Sequence, residues 1–152
     1  MKRLILTILI LILISTPVYA DDLQEGIDAI HRNDFETAYK LLMPLAEQGD
    51  AKAQHNLGIV YFNNGNDFKE AVKWWKLSAD QDNADSQYTL GRMHLMGFGV
   101  IQDYVQAHKW FNVSGANGDE DGRKSREIVE KKMTPPQIAE AQKLAREWME
   151  NK

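Results

Sequence analysis

From Asp21 onward, apolar residues return at spacings of three and four, the period of a helix that buries one face. Ala51, Gln54, Leu57, Gly58 and Tyr61 form one such face, and Ala84, Gln87, Leu90 and Gly91 repeat it thirty-three residues later. After a three-residue insertion, Ala71, Trp74 and Trp75 fall on Ala107, Trp110 and Phe111. Earlier in the chain, Phe35, Ala38, Leu41, Leu42 and Ala46 stand thirty-three before Phe68, Ala71, Trp74, Trp75 and Ala79. A period of this length predicts a solenoid of helical hairpins, because one hairpin alone cannot bury its apolar face and a stack can. The predicted units span about residues 21–49, 50–82 and 83–118, with a C-terminal cap over 119–152.

The helix boundaries are written in the polar residues. Asp67 stands three before Glu70 and Asp103 three before Gln106, the spacing of a capping box at a helix start. Gly97 and Gly99 close the preceding helix, and Gly49 and Gly118 mark joints between units. Gly58 and Gly91 are different, since a glycine inside a helix costs ~1 kcal/mol relative to alanine. Their common phase predicts a close approach to the helices carrying Ala71/Trp74 and Ala107/Trp110. In the last segment Thr134, Pro135 and Gln137 announce a helix start, and Ile138, Ala141, Leu144, Ala145 and Trp148 line one face of it. The mixed-sign stretch before it, with Glu127 four before Lys131, predicts a solvated helix.

The first twenty residues follow another logic. Lys2 and Arg3 precede an apolar run from Leu4 to Ile14, and Val18-Tyr19-Ala20 closes it, the layout of a secretory signal cleaved after Ala20. Eleven residues fall short of the ~20 that a membrane-crossing helix needs. The chain is thus expected to be exported, to the periplasm first and to the outside as an alternative, touching the membrane only in transit through residues 1–20. Of 18 basic residues two lie in that leader, which leaves 16 against 22 acidic ones, a net charge of −6 that argues against nucleic acid. The chain has no cysteine, so its core must come from packing alone.

A search for chemistry returns no catalytic, cofactor or metal call. No nucleophile elbow, phosphate loop or zinc-type histidine pair occurs, and His31, His55, His94 and His108 share no ligand spacing. Asn112-Val113-Ser114 is a formal glycosylation sequon inside a predicted helix. The tryptophans occupy repeat positions.

The run Leu90-Gly91-x-x-His94-x-x-Gly97-x-Gly99-Val100-x-x-Asp103-x-x-x-Ala107-x-x-Trp110 resembles the Sel-1-like repeat, a relative of the tetratricopeptide repeat. It departs at His94, where tyrosine is usual. The unit from Asp50 keeps Leu57-Gly58-x-x-Tyr61 and Ala71-x-x-Trp74 but has the shorter connection Asn63-Asn64-Gly65-Asn66-Asp67. The terminal helix is similar to one that many exported bacterial members carry. The resemblance implies an all-α, right-handed solenoid that works as a noncatalytic adaptor for a protein or peptide partner in the cell envelope. Carried over by position, it implies a groove of Lys52, His55, Ile59, Phe62 and Asn63 with Asp85, Tyr88, Arg92, Leu95 and Met96. The same apolar positions also suit the core. Two other readings follow from the resemblance: a secreted effector that binds host proteins, and a repeat enzyme that binds or hydrolyses β-lactams. The latter relatives depend on paired cysteines, which this chain lacks.

Overall fold

The computed structural model describes residues 20–152, so the candidate signal lies, apart from Ala20, outside the described residues. Every regular element among the described residues is a helix: α1 (20–31), α2 (Phe35–Glu47), α3 (Ala51–Asn64), α4 (Phe68–Ala79), α5 (Ala84–Met96), α6 (Tyr104–Ala116), α7 (Glu120–Glu130) and α8 (Pro135–Glu150). None is long and apolar enough to cross a membrane.

Short polar side chains start these helices, because the first backbone N–H groups have no partner within the helix. Asp67 accepts from the Glu70 N–H at 3.1 Å, and Asp103 accepts from Val105 and Gln106 at 2.8 and 3.1 Å. The reciprocal half of the expected capping box is absent at Asp67, where the Glu70 carboxylate pairs with Lys73 instead. At Thr134 the returning bond is made, with Gln137 Oε1 accepting from the Thr134 N–H at 2.8 Å. Gly97 closes α5 with φ +75°, a left-handed turn that glycine adopts without a Cβ penalty.

Successive helices pack as antiparallel pairs, α3 on α4 and α5 on α6, and each pair joins the next through α2 on α3 and α4 on α5. The interior glycines set the spacing. A Cβ built on Gly58 would lie 2.4 Å from Trp75 Nε1, and one on Gly91 would lie 2.5 Å from the Phe111 ring. Gly26 meets Leu42 at 2.8 Å in the same way. The large residue that fills each glycine gap is thus the second of the doublets Leu41-Leu42, Trp74-Trp75 and Trp110-Phe111. Trp74 and Trp110 reach elsewhere: Trp74 packs on the cluster of Leu42, Leu45 and Leu57, while Trp110 joins Val72 and Leu90. One doublet therefore closes its own hairpin and ties it to the preceding one.

Serine completes the tie. Ser78 Oγ donates to the Ala51 carbonyl at 2.7 Å, and Ser114 Oγ donates to the Ala84 carbonyl at 3.0 Å, the same bond one unit on. Among these units α7 docks by backbone contact, since a Cβ on Gly122 would meet Gly115 N at 3.0 Å. Gly122 and Val129 are its buried residues, and its ion pairs run Glu120–Arg123, Asp121–Lys124 and Arg126–Glu130 rather than Glu127–Lys131. α8 caps the stack against α6, with Ala141 and Ala145 fully buried and Trp148 edge-on to Trp110 at 5.4 Å. The fold is an α-solenoid of hairpins ended by a capping helix.

Candidate functional site

Stacking α3 beside α5 leaves a crevice of about 270 Å³ on the first-helix side of the solenoid. Its walls are His55, Ile59, Phe62 and Asn63 from α3, with Thr89, Arg92 and Met93 from α5, and Trp75 of α4 forms the floor. The wall residues recur at three and four, so each helix turns one stripe toward the gap. Trp75 is fixed there by Gly58 and by its indole N–H, which donates to the His55 carbonyl at 3.1 Å.

Polar groups at the crevice fall into two kinds. His55 Nδ1 lies 2.8 Å from Ser86 Oγ, a bond that ties α3 to α5, and burial pushes the imidazole below its ordinary range while nearby Asp85 opposes that shift. Thr89 Oγ1 donates to its own helix at the Asp85 carbonyl. Both are satisfied within the fold. Arg92 is exposed and has no hydrogen-bond or ion-pair partner among the described residues, although Asn63 faces the same opening. A guanidinium offers five donors and keeps its charge, so it presents an unused anchor at the lip of an apolar gap.

Five of the ten groove candidates thus meet at one place: His55, Ile59, Phe62, Asn63 and Arg92. Tyr88 and Leu95 are partly buried against the cluster of Ala107, Phe111 and Val129, with the Tyr88 ring 5.6 Å from Phe111. Lys52, Asp85 and Met96 are exposed on the same helices but do not line the crevice. Thr89, Met93 and Trp75 are lining residues that the position-by-position reading omits. Thr89 and Met93 carry a usable signal, since they sit three before and one after Arg92 on the same turn of helix.

Ser86 is fully buried beneath its imidazole partner, whereas a nucleophile must reach its substrate. No group of three or more His, Asp or Glu able to hold a metal ion occurs among the described residues. What the crevice offers is shape, apolar surface and one charge.

The family model for the Sel1 repeat matches residues 51–83 and 84–119, which are the two hairpins that build this crevice. Residues 51–119 are two Sel1 repeats. No curated protein matches the sequence of the chain. Among solved structures it is similar to a protective antigen present in uropathogenic Escherichia coli strains displaying an SLR fold, with 28% identity and a TM-score of 0.81 over 87% of this chain. It spans 30% of that antigen's length. It is also similar to a Sel1 repeat protein from Oxalobacter formigenes, with 25% identity and a TM-score of 0.62 over 72% of this chain and 88% of the other. The Sel1-repeat fold implies a scaffold for protein–protein contacts, and the crevice lies between the two matched repeats.

Proposed function

We propose that this chain is an exported adaptor that holds a peptide segment of another envelope protein in the crevice between α3 and α5. The observation that carries this reading is the unpaired Arg92 beside an apolar gap of Ile59, Phe62 and Met93. A partner segment with an aliphatic side chain next to a carboxylate would fill both features, and charged anchors of this kind set register as well as affinity. The leader layout of residues 1–20 supports export.

The test is site-specific photocrosslinking in the native cell. A photoreactive residue replaces Asn63 at the crevice, and a second variant carries it at Lys143, an exposed position on the capping helix. Crosslinked species should form from position 63, be reduced by Arg92→Glu, and be absent from position 143. Equal capture from both positions would remove the crevice from the reading. Intact-mass measurement of the same protein should give a chain starting at Asp21. A secreted effector would show the same crevice chemistry with the mature chain in the culture fluid and a host protein as the captured species.

A further inference from the structure

The three hairpins are built to one plan, and one of them lacks a part that the next supplies. At the start of α4, Phe68 is stacked on Phe98 with ring centres 5.2 Å apart and planes at 15°. Phe98 belongs to the long connection between α5 and α6. That connection lies flat on α4: Gly99 has φ +70°, and a Cβ there would be 2.2 Å from the Phe68 carbonyl oxygen. Val100 then packs on the cluster that holds Val72, which is 3% exposed.

One unit earlier the same register places Asp34, Phe35 and Tyr39 where Asp67, Phe68 and Val72 stand. The connection between α3 and α4, residues 65–67, is four residues shorter than that over 97–103, so no segment of it extends over the start of α2. No ring stacks on Phe35 among the described residues, and Tyr39, the counterpart of buried Val72, is 40% exposed. What remains is a cleft of about 500 Å³ between the first turns of α2 and Asn64, continuous at Tyr39 and Asn64 with a second hollow of about 360 Å³ beside Tyr61 and Asp67. Its charge differs from that of the covered copy. Glu36 replaces Lys69, and Asp34, Glu36 and Asp67 face a lone Lys40 across the two hollows.

We propose that this cleft docks an extended segment of a partner protein that carries an aromatic residue beside glycine, with a lysine or arginine close by. The molecule supplies its own template for the first requirement. A ring stacked on Phe35 would repeat the Phe98–Phe68 contact, and a flanking glycine would repeat the approach that Gly99 makes to backbone. The acidic rim supplies the second requirement. Glu36 is held only by an exposed pair with Lys40, which an incoming cation exchanges readily. The cleft lies on the hairpin-connection edge of the solenoid and shares no lining residue with the crevice of Arg92.

Two measurements test this on the purified chain. The first titrates a synthetic peptide, acetyl-Lys-Gly-Phe-Gly-Val-Ile-amide, into isotopically labelled protein and follows the spectrum residue by residue. Shifts should centre on Phe35, Tyr39 and Asn64, vanish when alanine replaces the peptide's phenylalanine, and weaken about tenfold or more in Tyr39→Ala and in Glu36→Lys. The second fills the cleft in cis, replacing Asn64-Gly65-Asn66 by the six residues found at 97–102. That variant should melt several degrees higher and no longer respond to the peptide. A peptide that shifts nothing, or shifts residues of the α3/α5 crevice, would overturn the proposal, as would a graft that lowers the melting temperature. Sedimentation showing a dimer that Tyr39→Ala dissociates would assign the cleft to a second copy of the chain and overturn it equally.

Discussion

Gln54 and Gln87 make the same buried bond thirty-three residues apart, each Nε2 donating to the carbonyl of the residue eight earlier, Ala46 or Ala79, at 3.1 Å. Those carbonyls end α2 and α4, where each also accepts a backbone N–H of the following turn, from Gly49 or Asp82 at 3.0 Å. The two Oε1 atoms are used as well: Gln54 accepts from Gln81 and Gln87 accepts from Asn117, both at 2.8 Å. One amide therefore closes the helix before it and holds the turn after it. This is why glutamine, and not an apolar residue, occupies a core position in both repeats.

Replacing Gln87 by leucine keeps the volume but removes one of the two donors to the Ala79 carbonyl, which keeps the Asp82 N–H, and turns the exposed Asn117 amide back to solvent. A hydrogen bond lost while its remaining partner stays satisfied costs ~0.5–1.5 kcal/mol, so Gln87→Leu should lower the urea midpoint with little change in slope. Gln54→Leu should behave alike, because its surroundings are the same. A midpoint equal to that of the parent chain in both variants would show that water replaces these bonds at no cost.

The glycine gaps admit a sharper test. A side chain at residue 91 must displace the Phe111 ring, which is fully buried, and overpacking of this kind costs ~1–3 kcal/mol or more. Gly91→Ala should therefore destabilise the chain, and Phe111→Leu should recover part of the loss by making room. The double-mutant cycle should show a coupling of ~0.5–3 kcal/mol, since the two residues share one contact. Strict additivity in the thermal melts would mean that Gly91 is retained for backbone reasons alone.

Much of this architecture was legible in the sequence, and the shortfall has particular causes. Leu57-Gly58 and Leu90-Gly91 fixed the register because a costly residue repeated at one phase is informative. Periodicity marks a face but not the side chain it meets, so the approach of Gly58 and Gly91 to α4 and α6 was legible, whereas the residues that fill the gaps, Trp75 and Phe111, were not. For the same reason Tyr88 and Arg92, four apart on α5, read as equivalent groove residues, yet one packs on Phe111 and the other stands free in solvent. The three-residue insertion was plain in the alignment, whereas its effect, Phe98 laid over Phe68, depends on a contact between different units.

Acidity should weaken the fold through two partly buried imidazoles, His55 and His94. Burial pushes His55 below its ordinary range, and it does the same to His94, helped by Lys76 and Lys109 and opposed by Ile101 and Asp103. A base whose folded-state pKa is depressed binds its proton more readily when the chain unfolds. Stability is then full above the unfolded value of about 6.5, falls as the pH drops below it, and levels off beneath the folded value. Unfolding free energy measured between about pH 7.5 and about pH 5.5 should decline, and the decline should be smaller in the His55→Gln, His94→Gln double variant. An identical slope in parent and variant would place the pH dependence elsewhere.

The final prediction separates scaffold from contact on a single helix. Arg92 is exposed and unpaired among the described residues, so Arg92→Ala should change stability by no more than ~0.5 kcal/mol. Tyr88→Ala removes a ring set 5.6 Å from Phe111 and packed between α5 and α6, and should cost ~1–3 kcal/mol. Partner capture at the α3/α5 crevice should follow the opposite order. Arg92→Glu reverses the charge that a partner carboxylate would meet, and should weaken capture most while the helical circular-dichroism signal and the melting temperature hold. Ile59 and Phe62 face both ways, since they line the crevice and also touch the cluster of Val72, Trp75 and Met93. Ile59→Val, a loss of one methylene, should therefore shift both readouts slightly, with a stability cost of ~0.5–1.5 kcal/mol at full burial and less here. A thermal melt beside a crosslinking yield for each variant decides the matter. If Arg92→Glu unfolds the chain as Tyr88→Ala does, then Arg92 is part of the scaffold and the crevice has lost its anchor.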